Sequence, residues 1–356
     1  MFDLTDRISA FEILGRFLGQ YEKERDDKDL EKLNQYFLED LHRNIQQAGI
    51  YNNWFTVNNV KFALQQWSEA LTRQQLENWT QRYPADHFEQ DSPKTIAIIM
   101  AGNIPMVGFH DLLSVLLSGH KALVKPSGDD EILIPFITQV LVAIDRRFAP
   151  FISFSEGKLT DFDAVIATGS DNSSRYFDYY FGKYPHIIRK NRTSAAILNG
   201  EESEEELMEL SNDIFRYFGL GCRSVSKLYL PQGFDLDRLF KAFFHQKEVV
   251  DNKKYGNNYD YNRAIYMMER HSFLENGFMI LKESEDLHSP ASVVYYEYYQ
   301  SPDELKEKLS GLTEKLQCVV GRPGIVATEI NFGQAQNPQL WDYADKVDTL
   351  KFLRTV

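Results

Sequence analysis

Hydrophobic residues recur along this chain at two different periods, and the change falls near residue 95. In "DDKDLEKLNQYFLEDLHRNIQQAG" (26–49) Leu30, Leu33, Phe37 and Leu41 follow one another at three- and four-residue steps, and "VNNVKFALQQWSEALTRQQLENW" (57–79) repeats that spacing. Such steps place apolar groups on one face, so both stretches are predicted as amphipathic helices. From Thr95 onward, short apolar runs alternate with helical patterns. "TIAIIM" (95–100) is too short for a helix and rich in β-branched residues, which suits a strand buried on both faces. "IPMVGFHDLLSVLLSG" (104–119) reads as a helix closed by Gly119, and "KALVK" (121–125) as the next strand. "DDEILIPFITQVLVAIDRRF" (129–148) then reads as a further helix and "DAVIAT" (163–168) as a third strand. This alternation implies an α/β fold with a parallel, doubly wound sheet. In "EESEEELMEL" (201–210) Ser203 and Glu206 make a capping box ahead of an apolar stripe at Leu207, Leu210, Ile214 and Phe218. The acidic run is therefore the solvated start of a helix.

Composition narrows the class. A chain of 356 residues, 43% of them hydrophobic, can bury a sizeable core and is long enough for two domains. Its 39 basic side chains against 52 acidic ones leave a net charge of −13, which repels phosphate backbones and anionic lipid. No nucleic acid partner is expected. The opening "MFDLTDRISAFEILGRF" intersperses acids among apolar positions and lacks the basic start and apolar core of a signal peptide. No run approaches the ~20 apolar residues of a membrane span. Two cysteines, Cys222 and Cys318, do not make a disulfide framework, so a reducing cytoplasm is the expected setting. The eight histidines lack the paired spacing of a zinc site, and no metal is expected.

The capped helix delivers the chain to "FGLGCRSVSKLYLP" (218–231). Gly219 and Gly221 permit positive φ and "VSKLYL" (225–230) alternates like a strand, which predicts Cys222 in a tight helix-to-strand turn. Such a turn can present a thiol to a cleft, where Arg223 beside it favours the thiolate. Burial among apolar groups would instead raise the thiol pKa and leave Cys222 a small core residue. The residues alone leave both readings open. Cys318, in "LQCVVG", reads as strand core, and His110 and His120 as partners in local hydrogen bonds.

Two upstream stretches bear on that choice. "AGNIPMVGFHDLLSVLLSGHKALVKPSGDD" (101–130) places Asn103, Pro105, Gly119, Lys125 and Pro126 in a strand–helix–strand order, and "VIATGSDNSSRYF" (165–177) sets Thr168, Gly169 and Ser170 between a strand and a helix. In this order ahead of Cys222 they resemble the aldehyde dehydrogenase superfamily, and within it the LuxC-like acyl-CoA reductases. The resemblance spans nearly the whole chain, including "NNYDYNRA" (257–264) and "NFGQAQNPQLWDYADKVDTLKFL" (331–353), and is weakest over the first ninety residues. It implies that Cys222 is the nucleophile and that the Asn103 amide, with the Cys222 backbone N–H, holds an oxyanion; the alternative for Asn103 is a cap on the following helix. It implies Lys125 on the adenosine ribose, and Gly169 and Ser170 on the cofactor pyrophosphate at a helix start. "SEDLHSPASVVYYEY" (284–298) resembles the superfamily's Glu-x-Phe-Gly-Pro segment beside the nicotinamide ribose, with Asp286 at the acidic position and His288 at the aromatic one.

Departures from the pattern are equally informative. Hydrolytic aldehyde dehydrogenases carry a water-activating glutamate after the strand that follows Thr-Gly-Ser; here "IIRKNRTSAAIL" has no carboxylate between Ile187 and Leu198. An acyl-Cys222 without such a base resists hydrolysis and is left to accept hydride or exchange with a thiol. NAD-preferring relatives place a glutamate three residues after the lysine, where this chain has Gly128. Removing that carboxylate removes repulsion toward a 2′-phosphate, and Ser127 can donate to it, so NADPH is expected over NADH.

The resulting expectation is an aldehyde dehydrogenase-like α/β fold. Residues 1–193 form N-terminal helices and a Rossmann-like parallel-sheet nicotinamide cofactor domain, residues 194–325 a second α/β catalytic domain, and residues 326–356 a C-terminal return. The expected activity is NADPH-dependent reduction of an acyl-CoA thioester, fatty acyl chains included, to the aldehyde through acyl-Cys222. The acyl group comes from acyl-CoA or an acyl-carrying partner protein, and a homo-oligomer stays open. A reductase of acyl phosphates, a non-redox cysteine acyltransferase or thioesterase, and an inactive interaction subunit are the alternatives. "FDYYF" (177–181) and "VVYYEYY" (293–299) either line an acyl tunnel or are plain core.

Overall fold

Five short apolar runs build the first sheet: β1 (Thr95–Ile99), β2 (Lys121–Lys125), β3 (Ile152–Phe154), β4 (Ala164–Thr168) and β5 (His186–Arg189). They lie in the order β3-β2-β1-β4-β5 and every pairing is parallel. Ile96, Ala97 and Ile98 of β1 and Val165, Ile166 and Ala167 of β4 are fully buried, as an unbroken apolar run in a central parallel strand requires. This computed structural model describes residues 2–21, 27–169, 171–324 and 329–356. The chain divides into two compact units, Met1–Lys190 with Gln339–Val356, and Asn191–Pro338.

Helical boundaries in the first unit depart from the sequence pattern at three places. The first predicted helix contains a π-helical turn, Asn34–Leu38, between Glu31–Leu33 and Glu39–Tyr51. The second is two helices, Val57–Ala70 and Arg73–Thr80, because Leu71 is buried against helix Leu4–Leu18, where a Cβ on Gly15 would stand 2.6 Å from the Leu71 Cβ. The helix expected from Ile104 begins only at Phe109. Met106 is left-handed (φ 58°) with its N–H donated to the Asp130 carboxylate, and Gly108 packs directly on Met100. Gly119 does end that helix, at φ 79°.

The C-terminal return is bound to the first unit by histidines. Nε2 of His110, His87 and His120 donates to the carbonyls of Leu340, Leu350 and Leu353 at 2.8, 2.8 and 3.1 Å. The Trp79 indole donates to the Tyr343 hydroxyl (2.8 Å), and Tyr83 joins Tyr343 to Asp348. Arg189, at the end of β5, forms a buried ion pair with Asp111 (Nη2–Oδ1 2.7 Å) and also reaches the Thr349 hydroxyl.

The second unit carries a seven-stranded sheet of β6 (Thr193–Ile197), β7 (Val225–Pro231), β8 (Leu274–Glu275), β9 (Ile280–Glu283), β10 (Val293–Tyr299), β11 (Leu316–Val320) and β12 (Glu329–Ile330), in the order β12-β11-β6-β7-β10-β9-β8. All pairings are parallel except β8 with β9. β7 is buried along both faces and does not alternate as "VSKLYL" suggested, because it lies between β6 and β10 in a parallel sheet. Two of its polar residues are satisfied in place: Ser226 pairs with the Thr193 hydroxyl and donates to the Leu287 carbonyl, and the fully buried Lys227 donates to the Ser284 carbonyl and to Glu297 (3.0 Å). Cys318 is buried in β11, as expected of a core residue. Among the described residues no helix is long and apolar enough to cross a membrane.

Candidate active site

In the first unit the expected cofactor residues gather at the carboxyl ends of β1, β2 and β4. Because the chain leaves β1 toward β2 on one side and later returns to β4 on the other, this is the switch point at which open parallel sheets bind ligands. Lys125 closes β2 and its ammonium donates to the Gly157 carbonyl at 3.2 Å. Ser127 accepts from the Asp129 N–H (3.2 Å), and Gly102 packs so closely that a Cβ there would stand 2.5 Å from the Ser127 hydroxyl. Asp130, nearly fully buried, accepts from the Met106 N–H (2.8 Å) and the Leu133 N–H (3.4 Å), tying the loop that bears Asn103 to the loop that bears Lys125 and Ser127. Asn103 itself is exposed. Gly169 follows β4, and Thr168 accepts from Arg189 (3.4 Å), so the buried Asp111–Arg189 pair steadies the end of β4. Ser170 lies outside the described residues.

This donor set suits a dinucleotide. An ammonium and a hydroxyl stand at a switch point beside open backbone: a Cβ on Gly157 would meet nothing within 4 Å and one on Gly128 only the Glu131 carboxylate at 3.8 Å. Lys125 and Ser127 are the groups here that could donate to a ribose.

In the second unit, Cys222 occupies the first corner of a turn closed from both ends. Ser224 N–H donates to the Gly221 carbonyl (2.9 Å), and Gly221 N–H donates back to the Ser224 hydroxyl (3.2 Å). The Ser194 hydroxyl donates to the Cys222 carbonyl (3.0 Å) and also meets the Cys318 sulfur at 3.1 Å. Cys222 is partly exposed, whereas its neighbours Gly221 and Ser224 are buried. The approach to the turn is strained: Tyr217 (φ 54°), Phe218 (φ 58°) and Gly219 (φ 75°) are consecutively left-handed. Gly219 bears this freely, but each of the two aromatic residues costs about 1–3 kcal/mol, a form of strain that concentrates at functional sites. Gly221, expected to share the positive φ, does not; Tyr217 and Phe218 carry it instead. Phe218 packs on Tyr255 (5.9 Å between rings), which holds it there.

Asp286 is exposed on the segment between β9 and β10. Its N–H donates to the Ser284 hydroxyl (3.2 Å), and the segment is gripped at residues 284 and 287 by Lys227 and Ser226 of β7, the strand that starts just after Cys222. Both elements of the second unit that the motifs singled out are thus registered on one strand. Among the expected site residues, Asn103, Lys125, Ser127 and Gly169 lie in the first unit and Cys222 and Asp286 in the second.

Two aromatic clusters considered for an acyl tunnel are placed otherwise. Tyr179 and Tyr180 are exposed on helix Asp171–Phe181, and β10 contributes mostly core. Phe215, Phe218 and Tyr255 line a small cleft whose walls also include Gly219 and Val225, on either side of the Cys222 turn.

Two buried carboxyls were missed as site elements. Asp213, on helix Glu204–Phe215, is fully buried and accepts from the N–H groups of Gly333 (2.7 Å) and Ala335 (2.9 Å). Burial pushes its carboxyl up to about 7, against the lowering effect of those two hydrogen bonds. Burial likewise pushes Asp130 up to about 6. The available signal for Asp213 was its place three residues after Leu210 and one before Ile214, inside the apolar stripe.

The acyl-CoA reductase (LuxC) family profile matches residues 10–239, more than half of the chain. A long-chain acyl-protein thioester reductase of Aliivibrio fischeri is 23% identical over 222 residues, covering 55% of this chain and 44% of that protein. The chain thus spans less than half the length of this relative. Aldehyde dehydrogenase 21 of Physcomitrella patens, solved with succinate, superposes with a TM-score of 0.58 at 12% identity, over 84% of this chain and 70% of that one. Aldehyde dehydrogenase C of Pseudomonas syringae, solved with NAD+ and octanal, superposes with a TM-score of 0.58 at 10% identity, over 90% and 78%. At such identities the likeness establishes the aldehyde dehydrogenase-like fold alone.

Proposed function

The chain belongs to the acyl-CoA reductase (LuxC) family, and from that premise we propose that it reduces an acyl thioester to the aldehyde through an acyl-Cys222 intermediate, with NADPH as reductant. The observation that carries this reading is the Cys222 turn: a partly exposed cysteine at the corner of a loop closed at both ends and entered through a strained left-handed run. Strain of that kind is maintained only where the surroundings over-determine it. The acyl donor is a thioester of coenzyme A or, given what the Aliivibrio relative acts on by name, of a carrier protein.

The chemistry divides among this chain's own residues. The Cys222 thiolate adds to the thioester carbonyl, the tetrahedral oxyanion accepts hydrogen bonds from donors including the Asn103 amide, and the donor thiolate leaves. When bound, the nicotinamide supplies the hydride that takes the acyl group to the aldehyde level. Lys125 and Ser127 hold the ribose end, Gly169 and Ser170 the pyrophosphate, and Asp286 the nicotinamide ribose. Release of the aldehyde returns the Cys222 thiolate. Water is a poor competitor because β6 ends in Ile197, which is buried, and the next buried carboxylate, Glu202, is occupied with the N–H groups of Asn199 (2.6 Å) and Gly200 (3.1 Å). Gly128 in place of a carboxylate, beside the Ser127 hydroxyl, supports NADPH over NADH.

The test is nicotinamide oxidation followed by absorbance with acyl-CoA and acyl-carrier thioesters of graded chain length. Wild type is expected to consume NADPH faster than NADH and to form aldehyde stoichiometrically, and Cys222→Ala to lose at least about a thousandfold in rate. Equal rates for both proteins would remove Cys222 as nucleophile; thioester cleavage without NADPH loss would point to a non-redox acyl transfer.

A further inference from the structure

A chain of hydrogen bonds runs from a buried acid to the residues that flank Cys222. Both oxygens of Asp213 are engaged, Oδ2 by the Gly333 N–H and Oδ1 by the Ala335 N–H, across 120 and 122 residues of sequence. From that segment two bonds reach the nucleophile turn: Arg223 Nη1 donates to the Ala335 carbonyl (3.3 Å), and Gln336 Nε2 donates to the Ser224 hydroxyl (3.2 Å). The same Ser224 hydroxyl accepts the Gly221 N–H that closes the turn. Gly333 lies at φ 79°, and a Cβ there would stand 2.3 Å from the Glu209 carboxylate, so helix Glu204–Phe215 and residues 333–336 meet without slack.

We propose that Asp213 is a positioning residue for Cys222: it fixes residues 333–336, and through Arg223 and Ser224 these hold the turn that aims the thiol. A carboxyl group suits the task because each N–H group meets a different one of its two oxygens. An amide in its place would accept one and turn an NH2 against the other, leaving a buried donor unpaired. The inference rests on the reading of Cys222 as the nucleophile, but the geometry concerns the turn itself and is measurable without turnover.

The experiment compares wild type, Asp213→Asn and Gln336→Ala in the full chain, following iodoacetamide alkylation of Cys222 by peptide mass spectrometry alongside kcat and the nicotinamide KM. The mapping separates Cys222 from the buried Cys318. Asp213→Asn is expected to slow Cys222 alkylation about fivefold and kcat about tenfold, with the nicotinamide KM within twofold, because displacing a reacting atom by a fraction of an ångström costs rate and not cofactor binding. Gln336→Ala, which cuts one bond and leaves Asp213 in place, is expected to move the same quantities in the same direction by a smaller factor. If Asp213→Asn fails to fold, Gln336→Ala alone decides. Folded variants alkylating at the wild-type rate would overturn the proposal. Slower alkylation in a protein whose turnover survives Cys222→Ala would uphold the positioning of the turn while removing the nucleophile reading.

Discussion

At the scale of single residues, the two buried carboxyls make a prediction whose sign follows from their environment. Desolvation raises Asp130 to about 6 and Asp213 to about 7, above the ordinary carboxylate value of about 4. Below pH 4 both are protonated in folded and unfolded chains and cost nothing. From pH 4 up to about 6 for Asp130 and about 7 for Asp213, the unfolded chain releases the proton while the folded one retains it, so the contribution to stability falls as pH rises and is fully lost above the folded value. The loss is about 3 kcal/mol for Asp130 and about 4 kcal/mol for Asp213. Urea denaturation at pH 4.5, 6 and 7.5 should show Asp130→Asn flattening the slope chiefly below pH 6 and Asp213→Asn up to pH 7. Parallel slopes for wild type and both variants would contradict the assignment. A neutral-pH penalty of this size fits groups retained for backbone geometry, one joining the loop of Asn103 to that of Ser127 and the other helix Glu204–Phe215 to residues 333–335.

Among elements, the end of β4 at Thr168 depends on a partner from outside its own strand. Arg189 and Asp111 are both nearly inaccessible, and the arginine also reaches Thr168 and Thr349. Removing one member of such a pair strands the other charge. Arg189→Met should therefore destabilise the first unit by about 3–5 kcal/mol, and the double change Asp111→Leu with Arg189→Met should recover most of that loss, as read by thermal unfolding. A single variant as stable as wild type would show that the pair contributes nothing. Element boundaries also mark what periodicity leaves out. The stretch 57–79 has one continuous helical period but breaks at Leu71, because that leucine is drawn against Gly15 of another helix. The helix pattern from Ile104 is overridden for five residues because Asp130 takes the Met106 N–H and holds it left-handed.

For the whole chain, the C-terminal return is the clearest long-range commitment. Three histidine–carbonyl bonds, the Trp79–Tyr343–Tyr83 network and the buried Leu350 and Leu353 bind residues 339–356 to the first unit. Ending the chain after Pro338 should destabilise that unit by roughly 7–10 kcal/mol, from two leucines at about 1.5–3 kcal/mol each and four hydrogen bonds of about 1 kcal/mol each. Hydrogen exchange should accelerate in Val57–Ala70, Arg73–Thr80 and Phe109–Leu117; unchanged protection there would refute it. The alternation of strand and helix from Thr95, the capping box at Ser203 and Glu206, the thiol between helix and strand and the order of the Asn, Lys and Gly-Ser motifs were all legible in sequence, because each depends on neighbours within a few residues. The left-handed pair Tyr217–Phe218, the burial of β7 on both faces, the hold of Lys227 on residues 284–287 and the reach of Asp213 to residues 333–335 were not. Those are set by partners tens to more than a hundred residues away, which no local period encodes. Local pattern determined which elements form and in what order; tertiary packing decided which polar groups are buried, because a buried donor or acceptor must find its partner wherever the fold brings one.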